Sequence, residues 1–253
     1  FHREKDKILS TNEEYKELKV IPQIRSNASL ISIAKQHEIN CIKSTIDLFG
    51  NTVSNVRHSG FNDLADEYVH EFYYKNSEAL EFTKSLLSSF DTGISDIKIE
   101  TYTDSEGKDI YYPTFIFNVS DKEESLRLHL QSSGTKRLYH LLAFCYVVIH
   151  MSEGSQYHFI ADELDLHLHS KILPEIIKLF ENNENTQLIF TCQNDHIMDS
   201  MGKYRTMFIN KEENESYTYR LDELSSDLLR NGRPITPHYA SGSIGGVPNL
   251  GYS

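Results

Sequence analysis

The apolar run Tyr157-His158-Phe159-Ile160-Ala161 stops abruptly at Asp162-Glu163. A strand that ends on two adjacent acids delivers both carboxylates to the carboxyl edge of a sheet, where open α/β folds bind ligands. There Asp162 would hold Mg²⁺, directly or through water, and Glu163 would orient or deprotonate an attacking water. Taken without the flanking stretches, the pair reads as caps of the next turn. Upstream, Gln131-Ser132-Ser133-Gly134-Thr135 opens an apolar helix. Hydroxyls, a glycine that permits close approach and unpaired backbone N–H groups converge at such a tip, and together they attract phosphate. Taken alone, Ser133 reads as an ordinary helix cap. Lys136 and Arg137 either add positive charge beside that tip or are simply solvated. Downstream, Gln187-Leu188-Ile189-Phe190 is a second apolar strand, and it ends in Thr191-Cys192-Gln193-Asn194. In this order the three stretches supply a phosphate-touching helix start, an acid pair for metal and water, and a polar sensor, which is the set that ATP requires. A G-x-x-x-x-G-K-[ST] phosphate loop is missing: Gly107-Lys108 and Gly202-Lys203 lack the upstream glycine. The sequence therefore carries half of a nucleotide site.

The elements that must position these residues follow from periodicity. Residues 1–25 are charged and irregular and read as a remnant of an N-terminal sheet region. Over 26–92 apolar residues recur at helical spacing (Leu64, Tyr68, Phe72; Leu80, Leu86, Leu87), which predicts a helical arm of three or four helices. From 93 onward the period changes to two. Ile97, Ile99 and Thr101 alternate with charged residues, and Asp104-Ser105-Glu106-Gly107 turns the chain into Tyr111–Val119. A short strand is expected at Leu126–Leu130, then a helix from Ser133 to about Met151. Strands over Tyr157–Ala161 and Gln187–Thr191 flank a helix over Leu173–Phe180, the rhythm of a parallel sheet with right-handed crossovers. Two more strands near Met207 and Tyr217, a short helix over Asp222–Arg230 and a glycine-rich loop over Ser241–Asn249 complete 93–253. The fold class is α/β, a parallel-sheet core with an inserted helical arm.

Composition narrows the function classes. A net charge of -12 argues against broad electrostatic binding to nucleic acid or an anionic membrane, which leaves nucleic acid an open partner only through a local patch. Cys41, Cys145 and Cys192 share no C-x-x-C spacing, so neither a zinc knuckle nor a disulfide framework is suggested, and a reducing cytoplasm fits. The longest apolar run, Leu141–Ile149, falls well short of the roughly 18 residues of a membrane span. The first residue is Phe1, with no methionine and no signal sequence, so the chain is expected to be a fragment. Aromatic groups such as Phe72-Tyr73-Tyr74 and Tyr111-Tyr112 are expected in the core or at a protein contact.

The ordered motifs resemble those of ATP-binding-cassette-type ATPases, and among them the overcoming-lysogenization-defect and AAA15-like branch associated with bacterial phage defence. That branch carries a signature near E-S-S-G-T, a Walker B region near D-E-h-x-x-x-L-H-P, a switch near T-T-H-[ND] and a C-terminal Y-x-x-G-x-x-G-x-x-P. The matching stretches are Gln131–Thr135, Asp162 through Leu168-His169-Ser170, Thr191–Asn194 and Tyr239–Pro248. The resemblance covers about 120–253. It implies ATP and Mg²⁺ as cofactors, with Ser132, Ser133, Gly134 and Thr135 touching nucleotide, Asp162 at the metal, and Glu163 with Gln193 in the catalytic positions. His169 would lie in the loop close to a partner subunit. It further implies a homodimer or higher homo-oligomer, a phosphate-loop (Walker A) portion of the same protein that precedes these residues, a protein effector in phage defence, and no membrane. Gln193 departs from the family histidine. Its neutral amide can donate a hydrogen bond to a γ-phosphate but cannot carry charge or relay a proton, which predicts slow hydrolysis. Two other classes stay open: a non-catalytic, nucleotide-dependent assembly scaffold, and a metal-dependent hydrolase or nuclease built on Asp162, Glu163, Asp165, His167 and His169.

Overall fold

A computed structural model describes the chain except residues 1, 5–6, 22–24, 26, 58–59, 62–65, 151–154, 225–233 and 248–253. Strands β1 (His2–Glu4) and β2 (Lys7–Ser10) pair antiparallel, and helices α1 (Leu30–Gln36) and α2 (Lys43–Gly50) follow. Leu18, Ile21, Ala34, Ile39 and Ile42 bury together here in a small core of their own. Next come β3 (Thr52–Ser54), the short ladder of β4 (Val56–Arg57) with β5 (Gly60–Phe61), and helices α3 (Asp66–Lys75) and α4 (Ser77–Ser89). Segment 26–92 thus holds, among its described residues, four helices and also a strand of the central sheet.

A meander follows: β6 (Ile94–Thr103), β7 (Asp109–Val119) and β8 (Lys122–Arg127), all antiparallel. Asp104 builds the first turn, because its Oδ1 accepts the N–H groups of Glu106 and Lys108, both at 2.9 Å, and Gly107 takes φ 82°. The strand expected at Leu126–Leu130 starts earlier than its hydrophobic pattern suggests. Ser120 and Asp121 both adopt positive φ (49° and 62°), which makes a tight two-residue hairpin turn, so pairing on β7 begins at Lys122 and Leu128–Leu130 coil into a 3-10 turn.

Helix α5 (Ser133–His150) buries Leu138, Leu141, Leu142, Cys145 and Val148 along one face. It leads to β9 (Tyr157–Ala161), α6 (Ile172–Glu181) and β10 (Thr186–Phe190). The spacing of Leu173, Ile176, Ile177 and Phe180 turns a single apolar stripe of α6 toward the core. The central sheet has the order β10-β9-β3 and is parallel throughout, Phe190 lying opposite Ala161 and Ser54 opposite Ile160. Phe159 is fully buried and stacks on Phe144 of α5 at 5.7 Å, a contact worth about 1.5–3 kcal/mol in burial alone. Val69 and Tyr73 of α3 and Leu87 of α4 join this same core. The opposite sheet face carries Ile160 and Ile189, 43% and 49% exposed.

Helix α7 (Ile197–Met201), strands β11 (Met207–Glu212) and β12 (Glu215–Arg220), and helix α8 (Thr236–Ala240) end the described chain around a third core of Met198, Phe208, Leu221, Ile235 and Ile244. Of the helix expected over Asp222–Arg230, Leu221–Glu223 form a 3-10 turn and 225–230 lie outside the described residues. The glycine-rich stretch, described as far as residue 247, packs on the β11-β12 hairpin. Tyr219 Oη donates to Ile244 O at 2.5 Å, and Asn210 Oδ1 accepts the Gly246 N–H at 3.0 Å. Gly246 has φ 74°, and a Cβ there would lie 2.9 Å from the Phe208 ring. These glycines therefore serve a tight packing contact.

Candidate functional site

Because the three sheet strands run parallel, the residues just past their carboxyl ends share one edge: Asn55 after β3, Asp162 after β9 and Thr191 after β10. A chain of hydrogen bonds joins them across the sheet. Asn55 Nδ2 donates to Asp162 O at 2.8 Å, and Asn55 Oδ1 accepts the Asp162 N–H at 2.8 Å. From the other side, the Thr191 hydroxyl donates to Asp162 Oδ1 at 2.5 Å and accepts the Glu163 N–H at 2.8 Å. Asn55 is 1% exposed, whereas Asp162 and Glu163 are half-buried and open to the edge. Neither Asn55 nor the double role of Thr191 was visible in the sequence. The one available signal for Asn55 was the β-branched pair in Thr52-Val53, too short to mark a strand.

The chain then turns sharply. Glu163 adopts φ 46°, a left-handed conformation that costs a residue with a side chain about 1 kcal/mol or more. Leu164, fully buried, anchors this turn, and its N–H donates to Thr191 O at 2.9 Å. Asp165 Oδ2 accepts the backbone N–H groups of both Gln193 and Asn194 at 3.0 Å, which ties the acid turn to the loop after β10. That bonding uses only the backbone of Gln193; the residue is exposed at the edge. Burial, and after it the Asp165 carboxylate, pushes the neighbouring Cys192 thiol up to about 11, so it stays protonated near neutrality. His196, with 80% side-chain exposure, lies just before α7, 3.9 Å from Asp195.

At the start of α5, Ser132 accepts the Thr135 N–H on its Oγ at 3.1 Å and also bonds the Thr135 hydroxyl at 2.9 Å. It is Ser132, then, that caps the helix, and Ser133 begins it. Both serines are exposed, and Gly134 and Thr135 are half-buried. Gly134 abuts the acid turn, since a Cβ there would lie 2.8 Å from the carbonyl oxygen of His167. Residues 162–169 therefore contact both the helix tip and the loop of Gln193, and the three stretches singled out in the sequence meet in one region. Lys136 donates its Nζ to His129 O at 2.8 Å, and Arg137 is 8% exposed, so Arg137 is buried, not solvated. His169 is exposed; its Nδ1 accepts the Lys171 N–H at 3.2 Å and its carbonyl the Ile172 N–H at 2.8 Å, which starts α6.

Among the described residues no group of three or more His, Cys, Asp or Glu is gathered closely enough to hold a metal ion by itself. The donor set instead fits Mg²⁺, which prefers oxygen ligands and takes one or two carboxylates with water and phosphate oxygens in the remaining positions. Asp162, with Oδ1 held by the Thr191 hydroxyl, could supply one such carboxylate.

The fold is α/β with a parallel sheet, and an acid doublet, a polar loop and a capped helix tip lie together at its carboxyl edge. The chain belongs to the AAA domain family described as putative AbiEii toxin, type IV toxin–antitoxin system, whose model matches residues 10–199. No curated protein matches it. Among solved structures, it is similar to an SMC head bound to the C-winged helix domain of ScpA, at 12% identity and a TM-score of 0.42, over 80% of this chain and 64% of that one. The chain thus spans less than two thirds of the length of that structure. Among the described residues no helix is long and apolar enough to cross a membrane.

Proposed function

We propose that the chain is the C-terminal part of an ABC-type ATPase of the OLD/AAA15-like branch, which binds and slowly hydrolyses ATP at an interface shared between subunits. The observation that carries this reading is the hydrogen-bonded row Asn55-Asp162-Thr191, which holds an acid doublet at the open edge of a parallel sheet. Asp162 would hold Mg²⁺, whose bound charge stabilises the phosphates. Glu163 would orient and deprotonate the attacking water, and the exposed Gln193 amide would donate to the γ-phosphate. Ser132, Ser133, Gly134 and Thr135 of one subunit would close on the γ-phosphate of the other, with His169 near the twofold contact, as expected of an isologous dimer or a larger homo-oligomer. The reading requires a phosphate loop, and no G-x-x-x-x-G-K-[ST] stretch occurs in this sequence. Its place would be a Walker A portion of the same protein that covers the bare face of Ile160 and Ile189, since parallel sheets are ordinarily covered on both faces. A cytoplasmic sensor or scaffold in anti-phage defence, acting on a protein effector, accords with the toxin–antitoxin description of the family.

The exposed neutral Gln193 favours one second reading, a nucleotide-dependent scaffold without turnover. ATP turnover by the full-length protein beside Glu163→Gln separates the two. The enzyme reading expects slow wild-type hydrolysis that falls by about 100-fold or more in the variant, from the lower end of the range for loss of a general base upward. Equal background rates with intact oligomers would assign the protein to the scaffold class.

A further inference from the structure

Asn55 precedes Asp162 by 107 residues and follows a three-residue strand, yet it grips both peptide units that flank the Asp162 Cα. One side-chain amide accepts the N–H on one side of that Cα and donates to the C=O on the other. Such a grip fixes the direction in which the Asp162 side chain leaves the backbone. The Thr191 hydroxyl, from the opposite neighbouring strand, then fixes the carboxylate by its Oδ1 and in the same stroke fixes the Glu163 N–H. Asp162 is thus determined twice, through its backbone from β3 and through its carboxylate from β10. Ladder closure alone would not need this, because the Asn55 backbone N–H already reaches Ile160 O at 3.4 Å.

We propose that Asn55 and Thr191 are positioning residues that set the divalent-cation affinity of Asp162. The proposal rests on the ATPase reading given above. Groups that orient a metal-binding carboxylate without touching the metal typically change metal affinity by about 10- to 100-fold when removed.

The test uses the full-length protein with Mn²⁺ in place of Mg²⁺ and a non-hydrolysable ATP analogue. Bound Mn²⁺ is measured from the loss of free-ion signal in electron paramagnetic resonance, and the Mg²⁺ concentration for half-maximal ATP turnover is measured alongside. Asn55→Leu keeps the side-chain volume and removes both bonds; Thr191→Val removes the hydroxyl, and Thr191→Ser restores it. The expected result is Mn²⁺ binding weakened by about 10-fold or more in Asn55→Leu and Thr191→Val and close to wild type in Thr191→Ser, with the Mg²⁺ requirement moving in parallel. Thr191 is exposed, so its pair of variants decides the question if Asn55→Leu does not fold. Nucleotide-dependent Mn²⁺ binding that is unchanged in Thr191→Val overturns the positioning role and leaves the ATPase reading standing. A wild-type protein that binds no Mn²⁺ with the analogue overturns both.

Discussion

Thr191 shows how much a single hydroxyl can organise: its proton goes to Asp162 Oδ1 and its lone pair takes the Glu163 N–H, so two adjacent acids are held by one side chain. Residue identities of this kind were readable where chemistry demands a type. Asp162, Glu163 and Gln193 stand out because they directly follow apolar strands, at the carboxyl edge where open α/β sheets bind ligands. Asn55 did not stand out, because its role is to satisfy two backbone groups, and any chain has many asparagines that do so in turns. Gly134 was singled out in the sequence as permitting phosphate approach, and the structure gives it a packing role. With a Cβ 2.8 Å from the His167 carbonyl oxygen, Gly134→Ala must push its methyl group against backbone. We expect that substitution to destabilise the protein by about 1–3 kcal/mol, measured by denaturant unfolding, and to lower ATP turnover by displacing the acid turn.

At the scale of elements, α5, β9, α6 and β10 lie within a residue or so of where periodicity puts them, because each has a long apolar pattern that packs against one partner. β3 and β8 fell outside that reach. β3 is three residues long and follows α2 directly, and β8 is exposed along its whole length, so no burial pattern marks it. The register of β8 comes instead from the Ser120-Asp121 turn. The attachment of α8 illustrates tertiary capping that no local pattern announces. Asp199, on α7, accepts the N–H groups of Ile235 and Thr236 and the Thr236 hydroxyl. Partial burial raises the Asp199 carboxyl, but the bonds from Thr236 and Ile235 outweigh it and hold the group below the usual carboxylate range. A carboxyl lowered by folding stabilises the protein above its unfolded pKa, about 3.9, and loses that contribution as pH falls through the folded value. Unfolding followed from pH 7 down to pH 2–3 should therefore show an acid-dependent loss of stability below about pH 4. In Asp199→Asn that component should be absent, at the cost of lower stability at neutral pH.

On the scale of the whole molecule, the chain is acidic, with a net charge of -12, and its described residues gather no group of three or more His, Cys, Asp or Glu close enough to hold a metal ion. One sheet face is packed under α5 and α6, while the other presents Ile160 and Ile189, 43% and 49% exposed. The class of fold was readable from the alternation of strand and helix. The bare face was not, because an exposed isoleucine in a parallel strand looks in sequence like any other buried one. The most direct test is the structure of the full-length protein bound to Mg²⁺ and a non-hydrolysable ATP analogue. The account predicts a dimer with Mg²⁺ about 2.1 Å from an Asp162 carboxylate oxygen, or one water away, and the γ-phosphate between Gln193 of one subunit and the Ser132–Thr135 tip of its partner. Nucleotide bound elsewhere, with the Asp162-Glu163 edge empty of both phosphate and metal, would contradict it.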